Sequence, residues 1–388
     1  LKDKIRTQIY TLAFGGKGIG KVNGKVCFIE GALPGEEVLF HKIKEHARYI
    51  EGELLEILKS SKDRVDPVCP LYSECGGCQL QHLEYSKELY YKENQVLEIL
   101  SRIGGSRDFI CQHMEKSVPE YGYRSTIDVH RAPEGYYGFY KKKSNEILPV
   151  ASCPVAEDAL NRGISMVNSS CRSGEVAIKA DNNGGIWISD HAGDRFFKDR
   201  FRGKELFFSP RAFSQANRYI AEKISVTLDE WIGSDTEDTV FFDLYCGVGF
   251  FSFLTERVFN VCVGIDESRI AIDCAKTTLK TTRAGACKFY RGVVEKDFFD
   301  LFDRNCLKRN IIFLDPPRKG ASRKFLERLS GNDSIDRIYY LSCDPPRLAR
   351  DTGIITSGTD FILNRIRLFD MFPRTTHIET LAEFTRKN

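Results

Sequence analysis

The chain has 388 residues, enough for two or three domains, so a single small binding module is excluded. Its 57 Lys+Arg against 54 Asp+Glu give a net charge of +3, which excludes a polycation or an acidic tail and leaves any polyanion partner to be met by local patterning. Thirteen cysteines are odd in number and too few for a disulfide scaffold, no apolar run approaches the roughly 20 residues of a membrane span, and the start (Leu1, Lys2, Asp3, Lys4) has no apolar secretion signal, so a soluble cytoplasmic protein is expected.

Residues 1–61 read as a small β-barrel. Short alternating stretches (Ile9 to Leu12, Lys25 to Ile29, Glu37 to Phe40, Tyr49 to Leu58) are separated by glycine-rich turns such as Gly15-Gly16-Lys17-Gly18 and Asn23-Gly24. About five strands fit, the size of an OB-like barrel, a fold often used for nucleic acid.

Residues 62–212 form a second region, rich first in Cys, Pro and Gly and then in short strands. Cys69, Cys75 and Cys78 are separated by five and two residues, with Gly76-Gly77 allowing a tight wrap and Cys153-Pro154 supplying a distant fourth thiol. Four thiolates can hold a 4Fe-4S cluster or a structural zinc. Three clustered ligands and one remote ligand before proline favour iron–sulfur over the paired spacing of zinc sites, and plain buried thiols are a third reading. Leu83 to Ile103 shows helical spacing, ends at Gly104-Gly105 and is expected to pack on the catalytic domain. Strands are expected at Ile127 to His130, Gly138 to Tyr140, Val176 to Lys179 and Ile186 to Ile188.

Residues 213–388 change period. Strands at Thr239 to Leu244, Val261 to Ile265, Lys288 to Arg291, Ile311 to Leu314 and Ile338 to Leu341 alternate with helices at Arg269 to Lys280 and Arg323 to Leu329, followed by two more strands. Such βα alternation means a parallel, doubly wound sheet with its ligand at the carboxyl ends of the strands. After the first strand, Asp243-Leu244-Tyr245-Cys246-Gly247-Val248-Gly249-Phe250 lacks a third glycine and a phosphate-binding lysine, so a pyrophosphate ligand is disfavoured. Asp266 ends the second strand, where a carboxylate can accept both ribose hydroxyls. The pair suggests S-adenosylmethionine, with a cap on the helix near Ser268 as the lesser reading of Asp266. Asp315-Pro316-Pro317 stiffens the next strand end and aims Asp315 at the ligand. Cys343 closes the following strand just before a helix, where the dipole and Arg347 and Arg350 would favour the thiolate. His377 and Glu379, two apart, are expected on one face of a strand as a candidate base beside the nucleophile.

Together these motifs resemble the RNA uridine-5-methyltransferases of the TRAM-containing, iron–sulfur, 23S rRNA type. The resemblance covers essentially the whole chain. Phe14 to Gly20 and Leu33-Pro34-Gly35-Glu36 are similar to the TRAM barrel, Cys75 to His82 with Tyr85 to the cluster motif, and Phe213-Ser214-Gln215-Ala216-Asn217 to the segment entering the catalytic fold. The likeness implies a multidomain α/β protein: a TRAM barrel, a strand-rich middle domain with an iron–sulfur site, and a C-terminal Rossmann-like methyltransferase domain. It further implies adenosylmethionine contacts from Gln215, Tyr245, Gly247, Gly249, Phe250, Asp266 and Asp315, Cys343 as nucleophile, Glu379 as base, and a 4Fe-4S cluster on Cys69, Cys75, Cys78 and Cys153. Asp344 and Arg347 depart from the family's usual Asn and Thr, and Phe250 stands where relatives often have Asn.

The implied reaction is covalent addition of Cys343 to carbon-6 of a uracil, methyl transfer to carbon-5 and proton removal by Glu379. The expected partner is RNA, most readily 23S rRNA, with transfer RNA as the alternative and no obligatory protein partner. RNA contacts are expected from the barrel, from Tyr136 to Lys143, and from Arg195 to Lys198 with Arg200, Arg202 and Lys204. Two rivals are a base amino-group methyltransferase, prompted by Asp315-Pro316-Pro317, and a non-catalytic RNA-binding protein. The amino-group reading lacks the aromatic residue after the prolines and gives Cys343 no role.

Overall fold

The computed structural model describes residues 4–105, 108–191, 196–234, 236–255, 259–282 and 286–387. They divide into two compact units: Leu1–Glu98 with Tyr140–Glu146 and Phe372–His377, and Ile99–Phe139 with Ile147–Met371 and Ile378–Asn388.

The first unit is built on a closed barrel of five strands, β1 (Lys4–Leu12), β2 (Gly18–Val22), β3 (Lys25–Glu30), β4 (Glu37–Glu45) and β5 (Tyr49–Lys59), in the order β1-β2-β3-β5-β4. Alternate side chains turn inward, and Ile9, Cys27, Ile29, Val38, Phe40 and Ile50 fill the interior. Phe40 lies so close to Gly52 that a Cβ there would come within 2.3 Å of its ring, so only glycine fits. The Leu33-Pro34-Gly35-Glu36 motif has a structural role. Glu36 is fully buried and accepts from the Leu33 N–H at 2.8 Å and from Arg64 Nε at 2.6 Å, tying the barrel to the chain that leaves it.

Helix α1 (Tyr85–Ile103) lies in this unit as far as Glu98. Leu80 and Leu83, just before it, share a small core with Leu12 and Leu33. Gln95 donates to the Leu12 and Ala13 carbonyls, both at 3.2 Å. On the same helix the buried Lys92 pairs with Glu88 at 2.6 Å and donates to the Phe372 carbonyl at 3.2 Å.

The second unit contains a five-stranded sheet, a hairpin and an eight-stranded sheet. In chain order its elements are β6 (Ile110–Glu115), β7 (Thr126–Arg131), β8 (Tyr137–Tyr140), β9 (Ile147–Pro149), α2 (Asp158–Ser170), β10 (Glu175–Ala180), β11 (Ile186–Ile188), β12 (Phe197–Phe201), β13 (Lys204–Phe208) and α3 (Arg218–Ile232). Then follow β14 (Thr239–Leu244), α4 (Phe250–Leu254), β15 (Val261–Asp266), α5 (Arg269–Thr281), β16 (Cys287–Arg291), α6 (Val294–Asn305), β17 (Arg309–Leu314), α7 (Arg323–Ser330), β18 (Arg337–Ser342), α8 (Pro345–Thr356), β19 (Phe361–Phe369) and β20 (Glu379–Arg386). The smaller sheet runs β11-β10-β7-β8-β9, and β12 pairs with β13.

The large sheet has the order β16-β15-β14-β17-β18-β20-β19-β6. Its first five strands are parallel, as βα alternation requires. The sheet is not parallel throughout, because β20 runs antiparallel to both β18 and β19. From β14 the chain moves outward through β15 and β16, then returns to the other side for β17 and β18. That reversal opens the crevice at the carboxyl ends of β14 and β17. Because β20 is antiparallel, its first residue reaches the same edge as the last residues of β14, β15, β17 and β18.

Candidate active site

Every expected cofactor and catalytic residue lies in the second unit. The glycine turn after β14 uses left-handed backbone at Tyr245 (φ 62°), Gly247 (φ 53°) and Gly249 (φ 79°). Gly249 is fixed twice over, because a Cβ there would also come within 2.8–2.9 Å of the Phe289 and Phe253 rings. Phe250 starts the buried helix α4 and packs edge-on against Phe201 at 5.0 Å between ring centroids.

At the end of β15, Asp266 accepts from the Gly247 N–H at 3.0 Å and from the Ser268 N–H at 2.8 Å. Ser268 itself caps α5, its hydroxyl accepting from the Ala271 N–H at 3.3 Å. Asp266 therefore braces the glycine turn and holds a carboxylate beside it. Its two oxygens have lone pairs beyond these two contacts, so ribose hydroxyls can still be accepted.

Asp315 follows β17, and its Oδ2 accepts from Gln215 Nε2 at 3.2 Å, which joins two residues a hundred positions apart in sequence. Burial, with the nearby Asp243 and Asp266 carboxylates, pushes Asp315 up to about 7. Gln215, Tyr245, Gly247, Phe250 and Asp315 line one cavity with Lys179, Asp199 and the aromatic side chains of Phe197, Phe201, Phe208 and Phe213.

Strand register brings Cys343 and Glu379 to one end of the β18–β20 pair. In the antiparallel β18–β20 pair, Leu341 lies opposite Leu381 and Ser342 opposite Thr380. The pairing ends there, so Cys343 and Glu379 are the residues that flank its last pair at the same end of the two strands, and the Glu379 charge reaches the thiol. Pro345 opens α8 and Asp344 caps it, accepting from the Arg347 N–H at 2.9 Å, so the chain turns sharply just past the thiol.

Electrostatically the thiol differs from the sequence expectation of a favoured thiolate. Burial and the Glu379 and Asp315 carboxylates push Cys343 up to about 12, and Arg318 is the cation that opposes them. The two arginines counted on for this role are elsewhere. Arg350 is bound to Asp351 at 2.6 Å and to the Ala321 carbonyl at 2.9 Å, and Arg347 is exposed. Glu379 is buried and lies well above the ordinary carboxylate range, through desolvation and then the Asp315 charge. His377 does not share a strand with Glu379. The Thr375 N–H and Oγ1 both bond to the Phe372 carbonyl, at 3.2 and 2.8 Å, in a turn that precedes β20, and His377 belongs to the first unit.

Among the cysteines, Cys69, Cys75 and Cys78 lie half-buried on one loop of the first unit, and Cys153 lies in the second. The Gly77 N–H points at Cys75 Sγ at 3.4 Å, and the Cys69 N–H donates to Gln81 at 3.0 Å. The Tyr72 hydroxyl stands 2.6 Å from both His82 Nδ1 and the Gln79 carbonyl, so the Gln79-Leu80-Gln81-His82 run braces the loop. Among the described residues no group of three or more His, Cys, Asp or Glu side chains is gathered closely enough to hold a metal ion.

Two of the cations expected to meet RNA are committed within the protein. Arg202 pairs with Asp229 at 2.7 Å, and Lys204 donates to the Phe253 and Thr255 carbonyls at 2.8 and 3.0 Å. Lys198 and Arg200 are exposed around Glu205, and Arg195 lies outside the described residues. In the first unit Lys142 covers the Tyr72 ring at 4.7 Å. Sequence reasoning also missed Lys179, because a lysine between Ile178 and Ala180 on a strand reads as the solvent-facing member of an alternating pattern.

Residues 200–387 match the family model described as tRNA (Uracil-5-)-methyltransferase, and residues 4–55 match the TRAM domain, coinciding with the barrel. The chain belongs to the RNA uracil-5-methyltransferase family. Among relatives of this family it is 28% identical to the 23S rRNA (uracil(1939)-C(5))-methyltransferase RlmD of Vibrio parahaemolyticus, over 98% of the chain and 95% of that protein. It is also 28% identical to an uncharacterized RNA methyltransferase of Clostridium acetobutylicum, over 98% and 96%. The fold is that of the Pyrococcus abyssi tRNA (uracil-54, C5)-methyltransferase, solved with S-adenosyl-L-homocysteine: TM-score 0.74, 21% identity, covering 98% of this chain and all of the other. Among the described residues no helix is long and apolar enough to cross a membrane.

Proposed function

We propose that this family member methylates carbon-5 of a uridine in 23S ribosomal RNA with S-adenosylmethionine, using Cys343 as nucleophile and Glu379 as base. The observation that supports the mechanism is the β18–β20 pairing, which ends at Ser342 and Thr380, next to Cys343 and Glu379, on the sheet edge where Asp266, the glycine turn and Asp315 also end. The residues fit the cofactor. Asp266 retains acceptor capacity for ribose, the turn offers close backbone approach, and Gln215 and Asp315 frame the cavity beside it. Bound adenosylmethionine would supply an electrophilic methyl group on sulfur.

The chain's own residues do the rest. The Cys343 thiol gives up its proton to water and its sulfur adds to carbon-6 of the uracil, which makes carbon-5 nucleophilic enough to take the methyl group. Glu379, as carboxylate, then removes the carbon-5 proton, and the electron pair released re-forms the 5,6 double bond as the thiolate departs. The raised basicity of Glu379 suits it to hold that proton. Asp315, hydrogen-bonded to Gln215, orients the uracil edge. A uracil must leave its stack to reach this crevice.

The preference for 23S ribosomal RNA rests on the full-length similarity to RlmD enzymes, together with the TRAM domain. A cytoplasmic location follows from that substrate. A 4Fe-4S cluster on Cys69, Cys75, Cys78 and Cys153 belongs to the same reading. It is supported by the spacing of the four thiols, and the Gly77 N–H directed at Cys75 suits a thiolate ligand. When bound, the cluster would take no part in methyl transfer.

The reading is tested by nucleoside mass spectrometry on 23S rRNA incubated with the protein and adenosylmethionine. The wild type is expected to form 5-methyluridine, and Cys343→Ala to lose product by at least about a thousandfold while still binding cofactor. Product formation by the alanine variant would refute the nucleophile. Methylation of an exocyclic amino group would refute the reaction.

A further inference from the structure

The cavity beside the glycine turn is lined by a single cation among the described residues, Lys179 at the end of β10. The side chain is only 4% exposed. Its Nζ donates to the Ala212 carbonyl and, at 2.9 Å, to Ser214 Oγ. Those two bonds leave one of its three N–H donors, and no carboxylate stands within ion-pair distance among the described residues. The acids that share the cavity are taken: Asp199 by Arg218 at 2.9 Å and Asp315 by Gln215 at 3.2 Å. An ammonium buried in this way is costly unless an anion joins it. Burial lowers Lys179 to about 8, with Asp128 resisting that fall, so at neutral pH it still carries its proton.

We propose that Lys179 binds the α-carboxylate of the methionyl part of the cofactor. The inference rests on the adenosylmethionine reading above. In that reading Asp266 takes the ribose and Asp315 lies beside Gln215, both carboxylates. The amino-acid end of the cofactor carries the one anion that must be met, and Lys179 is the group in the cavity with charge and a donor to meet it.

The test is calorimetric binding to the full chain of S-adenosylhomocysteine and of its decarboxylated analogue, which differs only by the carboxylate. The wild type is expected to bind the intact ligand about 10- to 100-fold tighter than the analogue. Lys179→Met is expected to lose that factor for the intact ligand and leave the analogue's affinity unchanged, with Lys179→Arg restoring part of it. Equal wild-type affinity for both ligands would overturn the inference while leaving the cofactor reading intact. So would an equal loss for both ligands in Lys179→Met, since that is the mark of a packing role. If Lys179→Met does not fold, the wild-type comparison decides by itself. Failure of the wild type to bind either ligand would instead bring down the cofactor reading, and this inference with it.

Discussion

Cys343, the proposed nucleophile, is held in its thiol form. With its thiol pushed up to about 12 by burial and two carboxylates, the protonated form dominates at neutral pH. Raising the pH moves the balance toward the thiolate. Alkylation of Cys343 by iodoacetamide in the absence of RNA is therefore expected to rise about tenfold per pH unit between pH 7 and 9, followed by peptide mass spectrometry. A rate independent of pH over that range would mean a preformed thiolate. The position of Cys343 at a strand end before a helix was legible in the sequence, but its electrostatics were not. Arg347 and Arg350 are near in sequence, and only the fold shows that Arg350 turns toward Asp351 and Ala321. The partners that matter, Glu379 and Asp315, come from other strands, as does the Gln215–Asp315 bond.

At the scale of elements, the β18–α8 corner decides where the thiol points. Asp344 caps α8, and an Asn there would accept equally well from a helix N-terminal N–H. Asp344→Asn is therefore expected to be nearly neutral in stability and turnover. Asp344→Ala is expected to cost about 1 kcal/mol in denaturant unfolding and to slow methylation. A stable, fully active alanine variant would show that the cap does not hold the corner.

The βα alternation of the last domain was readable because each strand is a short β-branched or aromatic run ended by a turn. Helix α6 was missed although Val294, Phe298 and Phe302 recur at four-residue spacing, all buried on one face. The β6–β19 pair was out of reach, since parallel pairing joins Ile110 to Arg365 across most of the chain. His377 was misplaced because nothing in Thr375-Thr376-His377 distinguishes a turn from the start of a strand.

For the molecule as a whole, the five-stranded barrel and the five parallel strands of the large sheet follow directly from local pattern, and the division into units does not. The segments Tyr140–Glu146 and Phe372–His377 belong to the barrel unit although they are remote from it in sequence. Anaerobically purified protein is expected to be brown, absorbing near about 400 nm, with close to four irons per chain, and Cys75→Ser is expected to lose both colour and iron. A colourless anaerobic preparation holding zinc would contradict the cluster.

The central claim is that Cys343 becomes bonded to uracil carbon-6 during turnover. The most direct measurement uses 23S rRNA fragments bearing 5-fluorouridine at the target. After methyl transfer the fluorine cannot be removed by Glu379 as a proton, so the adduct persists. Nuclease and protease digestion followed by tandem mass spectrometry is expected to find the methylated nucleotide on the peptide containing Cys343, and none in Cys343→Ala. No adduct with a substrate that the protein methylates in its unfluorinated form, or an adduct on a different cysteine, would contradict it.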